Sequence, residues 1–556
     1  MMIRNLLTLS SLEKVFPDQR PEEYAGKFSM MREDQLAFQL AFRLEAPPEA
    51  SFWRMVRVKI DSPLAPWLKV FCVRCVPARF LTGNASDGNF LRTEPGLYPD
   101  LLLPVGEEGA RFTPNCWNAF WFQVRTDAST PAGVHPVKIT LMVDSFGETE
   151  EYEQTVEVEV IGACLPKQKL LHTEWFHADC IADYYKVPAW SEEHWKAVES
   201  QLRAAVRCGV NMILTPVFTP ALDTAVGWER TTVQLVDITV EKGAYSFGFE
   251  KLDRWVKLCL GCGIERFEIA HLYSQWGAEH CPKIMATVDG EYRRIFGWES
   301  DAVGPEYAGF LSAFLPALTA HLEELGLRKE QVVFHISDEP SADHLPQYKA
   351  CREQVQGLLE GYTIMDALSD FSFYQQGVCP NPVVATNHVT PFLEHKVENL
   401  WVYYCVSQNY QVSNRFMAMP SARTRIIGTQ FYKYRIAGFL HWGFNFYNSQ
   451  YSLKHIDPFA VTDADGAFPA GDPFLVYPGE DGEAWDSLRL QVFYDAICDL
   501  RAFELLESLA GREFVMELLE GGLQREVTFF DYPHEASYLL TLRARVNEEI
   551  RKRIGG

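Results

Sequence analysis

Residues Gln331–Pro340, with the sequence QVVFHISDEP, combine a strand-like run with two adjacent carboxylates. Val332–Ile336 is short, apolar and mostly β-favouring, and it follows a helical pattern that ends near Gly326. We therefore predict a buried strand that stops at Asp338 and Glu339. If the chain turns after the strand, both side chains can face one cavity and act there as acid and base. The alternative is that one of the two acids only caps the following helix.

The N-terminal part of the chain has a β pattern. Between residues 20 and 162, short runs of branched and aromatic residues alternate with Gly, Pro, Asn and Asp, which is typical of a β-sandwich. We predict such a domain over residues 1–162. The predicted strands are Leu36–Leu44, Trp53–Ile60, Trp67–Val76, Ala119–Arg125, Val137–Val143 and Thr155–Val160.

After the linker at Cys164–Pro166, strand and helix patterns alternate, which is typical of a (β/α)₈ TIM barrel. We predict this barrel over residues 163–510, with Asp338 and Glu339 at the end of its fourth strand. The predicted strands are Leu170–Phe176, Met212–Val217, Glu265–His271, Val332–Ser337, Thr363–Leu368, Pro382–Asn387, Leu400–Val406 and Gly438–Tyr447.

The helices between these strands follow from apolar periodicity and end signals. The clearest, Glu192–Arg207, has Ser191 as its cap and Gly209 as its stop. The others are Phe249–Leu260, Pro305–Leu325, Asp343–Leu359, Ala422–Ile436 and the closing helix Trp485–Leu509. Residues 511–556 are predicted to form a C-terminal helical extension packed on the barrel. The fold class is therefore multidomain α and β.

Composition restricts the partners of the protein. The net charge of −23 disfavours nucleic acid and anionic membranes as partners. The first 20 residues contain charged side chains and no sustained apolar core, and no run of about 18 apolar residues indicates a membrane span. The 13 cysteines show no framework spacing, which favours reduced thiols. We expect a cytoplasmic protein, and the sequence leaves its oligomeric state open.

The sequence indicates neither a cofactor nor a metal. Cys72 and Cys75, like Cys259 and Cys262, have the C-x-x-C spacing, and together the two pairs could hold zinc. We disfavour that site because the pairs lie in different predicted domains. Zinc-protease, Walker A, dinucleotide-binding and G-x-S-x-G motifs are absent from the sequence.

Further polar and aromatic residues lie at the predicted strand ends, where a barrel would direct them toward the cavity of Asp338 and Glu339. Only about half of strand residues point inward, so each has a core or rim position as its alternative. The candidates are Glu174, Trp175, His177, Thr215, His271, Tyr273, Gln275, Asp366, Asp370, Asn387, His388, Tyr403, Tyr404, Gln408, His441, Trp442, Asn445 and Tyr447.

The segment Ser337–Pro340 resembles the catalytic motif of glycoside hydrolase family 123. Other segments resemble family features in the same order, from the N-terminal signature to the helix that closes the barrel. They are Pro95–Asp100, Leu103–Pro104, Trp117, Phe120–Trp121, Pro131–Gly133, Gly438–Trp442, Tyr477–Gly479 and Asp486–Leu490. Gln491 replaces an acid that is usual in the closing helix, and we interpret that position as structural.

The resemblance implies an N-terminal β-sandwich, a catalytic barrel and an exo-acting, retaining β-N-acetylgalactosaminidase. Its mechanism would be substrate-assisted, through an oxazoline, with Asp338 orienting the 2-acetamido group and Glu339 as acid and base. The substrate would be an oligosaccharide or glycoconjugate with a terminal N-acetylhexosamine. As sugar-binding residues we predict Trp175, His271, Tyr404, Trp442 and Asn445.

Three alternatives stay open at this point. The protein could be a β-N-acetylglucosaminidase. It could also be a two-carboxylate glycosidase that pairs Glu339 with Asp366 or Glu174. The third is a non-catalytic carbohydrate-binding protein on the same scaffold. A requirement for the 2-acetamido group distinguishes an N-acetylhexosaminidase from the two-carboxylate glycosidase. Turnover of an aryl glycoside excludes the non-catalytic protein.

Overall fold

The computed structural model describes residues 2–47, 52–83, 86–145 and 148–555. Within these ranges the N-terminal part forms two five-stranded sheets, with the orders β1-β3-β8-β5-β6 and β2-β10-β9-β4-β7. The strands are β1 (Met2–Ser10), β2 (Phe28–Arg32), β3 (Gln35–Glu45), β4 (Arg54–Asp61), β5 (Leu68–Ala78), β6 (Gly96–Pro104), β7 (Ala110–Phe112), β8 (Trp117–Arg125), β9 (Gly133–Ser145) and β10 (Glu148–Cys164).

The two sheets share one buried apolar cluster. Phe38 and Phe122 from the first sheet stack with ring centroids 5.2 Å apart, and Ile139 and Val158 from the second belong to the same cluster. This burial explains why the branched and aromatic runs indicated strands. Each of the six predicted strands is present, and the predicted β-rich N-terminal part is confirmed. The finer β-sandwich assignment stays a prediction, as do the domain boundaries; β10 itself continues to Cys164.

The middle of the chain forms a nearly closed parallel barrel. In the continuously described range 148–555, nine strands pair in the order β19-β18-β15-β12-β11-β23-β22-β21-β20. They are β11 (Leu171–Glu174), β12 (Met212–Thr215), β15 (Arg266–Ile269), β18 (Val332–Phe334), β19 (Thr363–Ile364), β20 (Asp366–Ala367), β21 (Pro382–Ala385), β22 (Trp401–Tyr403) and β23 (Gly438–His441).

The predicted fifth barrel strand is divided in two. Met365 separates β19 from β20; β19 pairs with β18, and β20 pairs with β21. The two ends of the sheet are therefore consecutive in the chain, which is why the barrel is nearly rather than fully closed. The mixed α and β class and the parallel barrel are confirmed, and the finer (β/α)₈ assignment stays a prediction.

The sequence pattern did not indicate a four-stranded sheet with the order β14-β13-β16-β17, whose strands follow β12 and β15 in the chain. Its strands are β13 (Asp237–Glu241), β14 (Ala244–Gly248), β16 (Ile284–Val288) and β17 (Glu291–Phe296). A further pair, β24 (Val476–Pro478) and β25 (Ala484–Asp486), precedes the closing helix.

The helices surround the barrel and continue past it. They are α1 (Ala178–Tyr185), α2 (Glu192–Arg207), α3 (Glu250–Cys262), α4 (Pro305–Glu324), α5 (Leu345–Gln356), α6 (Phe371–Gln375), α7 (Thr390–Glu394), α8 (Ser421–Arg425), α9 (Ile427–Tyr434), α10 (Leu488–Ala510), α11 (Arg512–Glu520) and α12 (Ala536–Arg553). Ser191 caps α2 as predicted, accepting the His194 N–H at 3.3 Å. No helix in the described part of the chain is long and apolar enough to cross a membrane.

The closing helix α10 joins the N-terminal strands to the barrel. It begins at Leu488, three residues later than predicted, because Trp485 belongs to β25. Gln491 of α10 donates to Asp486 Oδ2 at 2.7 Å and accepts from Arg125 at 3.0 Å. These bonds fit the structural interpretation of Gln491.

Candidate active site

A cavity of about 200 Å³ is lined by residues that follow several different barrel strands. Its polar lining consists of Asp223, Gln275, Asp338, Glu339, Tyr403 and Gln450. Aromatic walls come from Trp175, Trp276, Trp442 and Phe468. Because carboxyl ends of parallel strands meet at one face of a barrel, this arrangement has the geometry of a barrel active site.

The segment before the acidic pair is fixed by neighbouring strands. After β18 ends at Phe334, the N–H groups of Ile336 and Ser337 both donate to Asp366 Oδ1, at 2.8 and 3.2 Å. The Ser337 hydroxyl donates to the carbonyl oxygen of Ser274 at 2.7 Å. These bonds hold the chain in place as it leaves the strand.

The two carboxylates themselves reach the cavity through a turn. The Asp338 carbonyl accepts the Trp276 N–H at 2.9 Å, and the Glu339 N–H donates to the Ala367 carbonyl at 3.1 Å. Glu339 has a φ of 43°, in the left-handed region that non-glycine residues rarely adopt. This turn places both side chains on the cavity, as the sequence reasoning required.

Several residues at this cavity have a left-handed backbone. Besides Glu339, left-handed φ values occur at Asp223 (43°), Trp276 (56°) and Tyr451 (60°). Tyr451 lies beside the cavity, since its N–H donates to Asp223 Oδ2 at 3.1 Å and its ring meets Trp276 edge-to-face at 5.8 Å. Such conformations cost about 1–3 kcal/mol each and persist where surrounding contacts impose them.

The environment of the pair favours retention of a proton. Burial raises the pKa of Asp338 well above its usual value, and repulsion from Glu339 raises it further. Burial also raises the pKa of Glu339, although the hydroxyl of Tyr403, which donates to Oε1 at 2.6 Å, opposes that rise. Two such carboxyls titrate as a unit, so the pair can share one proton where isolated carboxyls would hold none.

A buried ion network lies beneath the pair. His335 donates to Glu268 at 3.0 Å and lies 3.6 Å from Asp366. Burial opposes its charge, but the nearby carboxylates of Asp366 and Glu268 outweigh burial and raise the pKa of His335 to about 10. Its positive charge lowers the pKa of Asp338, against the larger effect of burial. Trp175 is tied to the same network, because its indole N–H donates to Glu268 at 3.0 Å.

His271, His335 and Asp366 offer ligand atoms that all lie within 4.8 Å of one another, as a metal site would require. The carboxylates of Glu268 and Asp366 favour a protonated His335, and with His335 in that form the three residues belong to the ion network. The C-x-x-C pairs also fail to converge, because Cys72 and Cys259 belong to separate buried clusters.

Of the predicted catalytic and sugar-binding residues, four line the cavity: Asp338, Glu339, Trp175 and Trp442. Gln275 and Tyr403, from the wider set of strand-end candidates, line it as well. The indole of Trp442 is held by Asp472, whose Oδ2 accepts its N–H at 2.9 Å.

The structure places three predicted sugar-binding residues away from the cavity lining. His271 is buried and stacks on His335, with ring centroids 4.6 Å apart. Tyr404 is fully buried in an apolar cluster, and its neighbour Tyr403 lines the cavity instead. Asn445 is also buried; it accepts the His177 N–H at 2.7 Å and donates to Gln201 at 2.7 Å.

The carboxylates proposed for a two-carboxylate glycosidase are also engaged elsewhere. Glu174 forms a buried bidentate pair with Arg415, at 2.6 and 2.9 Å. Asp366 accepts the hydroxyl of Tyr348 at 2.6 Å in addition to its two backbone bonds. A third carboxylate, that of Asp223, lines the cavity beside the pair. Asp223 lies on the loop after β12, and the sequence pattern did not predict it.

Comparisons with known proteins give one family model and several similar solved structures. The family model described as "Glycoside hydrolase 123, catalytic domain" matches residues 175–506, more than half of the chain. A solved structure of a family 123 glycoside hydrolase from Clostridium perfringens, from work on glycolipid glycan hydrolysis, has a TM-score of 0.74 at 16% identity, covering 99% of this chain and 98% of that one. A β-glucuronidase from Parabacteroides merdae has a TM-score of 0.31 at 9% identity, covering 88% of this chain and 52% of that one. A search of the curated proteins finds no match.

Proposed function

The chain belongs to glycoside hydrolase family 123, and from that premise we propose that it is an exo-acting, retaining β-N-acetylgalactosaminidase. As a member of the family it is a glycosidase that acts on glycans or glycolipids. The observation that carries the proposed activity is that Asp338 and Glu339, which are neighbours in the sequence, line the same small cavity. A cavity of about 200 Å³ is below the usual range for drug-sized ligands and suits one terminal sugar.

In the proposed mechanism the substrate supplies the nucleophile, unlike the usual two-carboxylate scheme. The oxygen of the 2-acetamido group attacks the anomeric carbon, and the bond to the leaving oxygen breaks as Glu339 transfers its proton to that oxygen. The product of this step is an oxazoline. Glu339 then takes a proton from water as the water attacks the anomeric carbon and opens the ring. Two inversions give a product with the β configuration.

Asp338 has the complementary role of accepting the acetamido N–H. That hydrogen bond stabilises the anion of Asp338 and leaves the shared proton of the pair on Glu339, where the first step requires it. The positive charge of His335 favours the same distribution, because it lowers the pKa of Asp338. Asp338 can then stabilise the positive charge that develops on the oxazoline.

Trp175 and Trp442 are proposed as walls of the sugar pocket, with Tyr403 taking the place that Tyr404 had in the sequence-based prediction. His271 and Asn445 are proposed to act behind these walls. His271 packs edge-to-face on Trp175, with ring centroids 5.1 Å apart. Asn445 binds the backbone of His177, whose ring contacts the Trp442 carbonyl at 2.8 Å.

The proposed setting of the enzyme is the cytoplasm, and its catalytic unit is proposed to span residues 163–510 between the domains at 1–162 and 511–556. The cysteines support a reducing compartment, because all 13 lie within the described residues and are free thiols.

A panel of 4-nitrophenyl β-glycosides that differ at C2 and C4 tests this proposal. We expect the N-acetylgalactosaminide to be cleaved fastest, the N-acetylglucosaminide more slowly and the galactoside, which lacks the acetamido group, not at all. Equal cleavage of the galactoside would favour a second candidate, a two-carboxylate glycosidase that uses Glu339 with Asp223, which lines the same cavity. Binding without cleavage of any glycoside would indicate a carbohydrate-binding protein.

A further inference from the structure

The catalytic cavity is strongly acidic. Asp223, Asp338 and Glu339 line it, and none of its lining residues in the described part of the chain is Lys, Arg or His. Buried cations behind the lining are already paired, among them His335 with the carboxylates of its network and Arg230 with Asp179 through two bonds of 2.7 Å. A ligand in this cavity therefore meets three carboxyl groups and no free positive charge.

Asp223 is held firmly at the cavity although it lies on a loop. Its N–H donates to the side chain of Gln275, whose amide in turn donates to the Thr224 carbonyl at 3.2 Å. The Ser452 hydroxyl donates to the Asp223 carbonyl at 2.7 Å, and the Tyr451 N–H donates to Oδ2 at 3.1 Å. These bonds impose the left-handed backbone at this residue.

The other carboxylate oxygen of Asp223, Oδ1, accepts no hydrogen bond from any described residue, so it is available to a ligand. Burial raises the pKa of Asp223 to about 6, which leaves the group mainly ionised above neutral pH. An ionised carboxylate is only an acceptor, so its partner must be a donor such as a sugar hydroxyl.

We propose that Asp223 is a specificity residue, which accepts a hydroxyl of the terminal sugar and restricts the enzyme to uncharged terminal sugars. The reaction itself rests on the proposed function. The exclusion of negatively charged sugars rests on Asp223 and the acidic cavity. A sulfate ester replaces the hydroxyl donor with acceptors and adds a negative charge beside the carboxylate. The substrates would thus be glycans or glycolipids with neutral ends, rather than chains that end in a sulfated amino sugar.

Binding of free sugars tests this inference without turnover, since three tryptophans line the cavity and report binding by fluorescence. The probes are N-acetylgalactosamine and its 4-sulfate and 6-sulfate, at about pH 7.5. Two unit charges about 6 Å apart, at an effective dielectric constant of about 20, correspond to about 100-fold weaker binding. We expect the wild type to bind at least one of the two sulfated sugars about 100-fold more weakly than N-acetylgalactosamine.

Asp223→Asn is the matched variant, because its side-chain oxygen can still accept the Tyr451 N–H. We expect it to bind the neutral sugar a few-fold more weakly and to reduce the neutral-to-sulfate ratio by about 10-fold or more. Glu241→Gln is the control for net charge, because Glu241 is exposed on β13 and is not among the cavity residues. This control should keep the wild-type ratio.

The outcomes separate this inference from the proposed function. Equal binding of the neutral sugar and both sulfates by the wild type, an unchanged ratio in Asp223→Asn, or no binding of any of the three sugars would overturn the inference. Cleavage of the neutral aryl N-acetylgalactosaminide is measured in parallel. Absence of cleavage together with the expected binding ratio would overturn the proposed function alone.

Discussion

The hydroxyl of Tyr403 donates a hydrogen bond of 2.6 Å to Oε1 of Glu339. Tyr403 ends β22 and Glu339 follows β18, so the bond joins two distant barrel strands across the cavity. It stabilises the ionised form of Glu339 and so limits the rise in pKa that burial causes. An acid that must also act as a base requires such a balance, because its pKa should lie near the working pH.

Tyr403→Phe should therefore shift the pH dependence of activity. A hydrogen bond to a charged group contributes about 1.5–3 kcal/mol, so its loss should raise the pKa of Glu339 by about one unit or more. Activity falls as pH rises through this pKa, because the first step needs protonated Glu339. We expect the alkaline limb of kcat/KM to move to higher pH. A limb that stays at the wild-type position would contradict this role of Tyr403.

Glu339→Gln should lose most activity on substrates with poor leaving groups. General acid catalysis contributes about 10²–10⁴-fold, and a good leaving group needs less of it. We expect a large fall in kcat for an alkyl or disaccharide substrate and a smaller one for 2,4-dinitrophenyl glycosides. The thermal midpoint of the variant serves as a control for folding. Equal losses across leaving groups would mean that Glu339 is not the acid.

Features that depend on local sequence could be predicted. Helix α2 begins and ends where Ser191 and its apolar face indicated, because a capping bond and a buried stripe are properties of a few neighbouring residues. The position of Asp338 and Glu339 was predictable for a similar reason, since a β-favouring run, of which Val332–Phe334 forms β18, closely precedes them.

Features that depend on distant contacts could not be predicted. The adjacent residues Tyr403 and Tyr404 show this: successive strand residues face opposite sides, so a shift of one residue decides which tyrosine meets the cavity. Asp223 lies on a loop whose shape depends on Gln275 and Tyr451, residues far away in the sequence. The four-stranded sheet was missed because short strands such as β17 (Glu291–Phe296) expose much of their length and show no clear alternation.

His335→Gln should destabilise the fold and remove part of its pH dependence. Removing one partner from a buried ion network typically costs about 3–5 kcal/mol. The folded-state pKa of His335 is raised from 6.5 to about 10, so its contribution is complete below about pH 6.5 and is lost as pH rises toward 10. Thermal midpoints of the wild type and variant should therefore differ most near pH 6 and converge toward pH 10. A constant difference across this range would refute the charged state of His335.

Asp338→Asn should reduce activity strongly on N-acetylated substrates while retaining the shape of the site. The variant keeps an acceptor for the acetamido N–H but loses the negative charge that stabilises oxazoline formation. Loss of a preorganised electrostatic partner costs about 2.7–4 kcal/mol, which corresponds to about 10²–10³-fold in kcat. The fall should appear for good and poor leaving groups alike, because the charge assists the attack rather than the departure. This pattern distinguishes Asp338 from Glu339.

A thiazoline analogue of N-acetylgalactosamine provides the second measurement for Asp338. It resembles the cyclised intermediate and should inhibit the wild type competitively, more tightly than the free sugar does. Asp338→Asn should lose most of this advantage, because the neutral amide no longer attracts the protonated ring, whereas binding of the free sugar should change little. The first product of the wild-type reaction, followed by NMR, should have the β configuration. An inverted product, or an inhibitor that binds both proteins equally, would exclude substrate assistance and favour the pairing of Glu339 with Asp223.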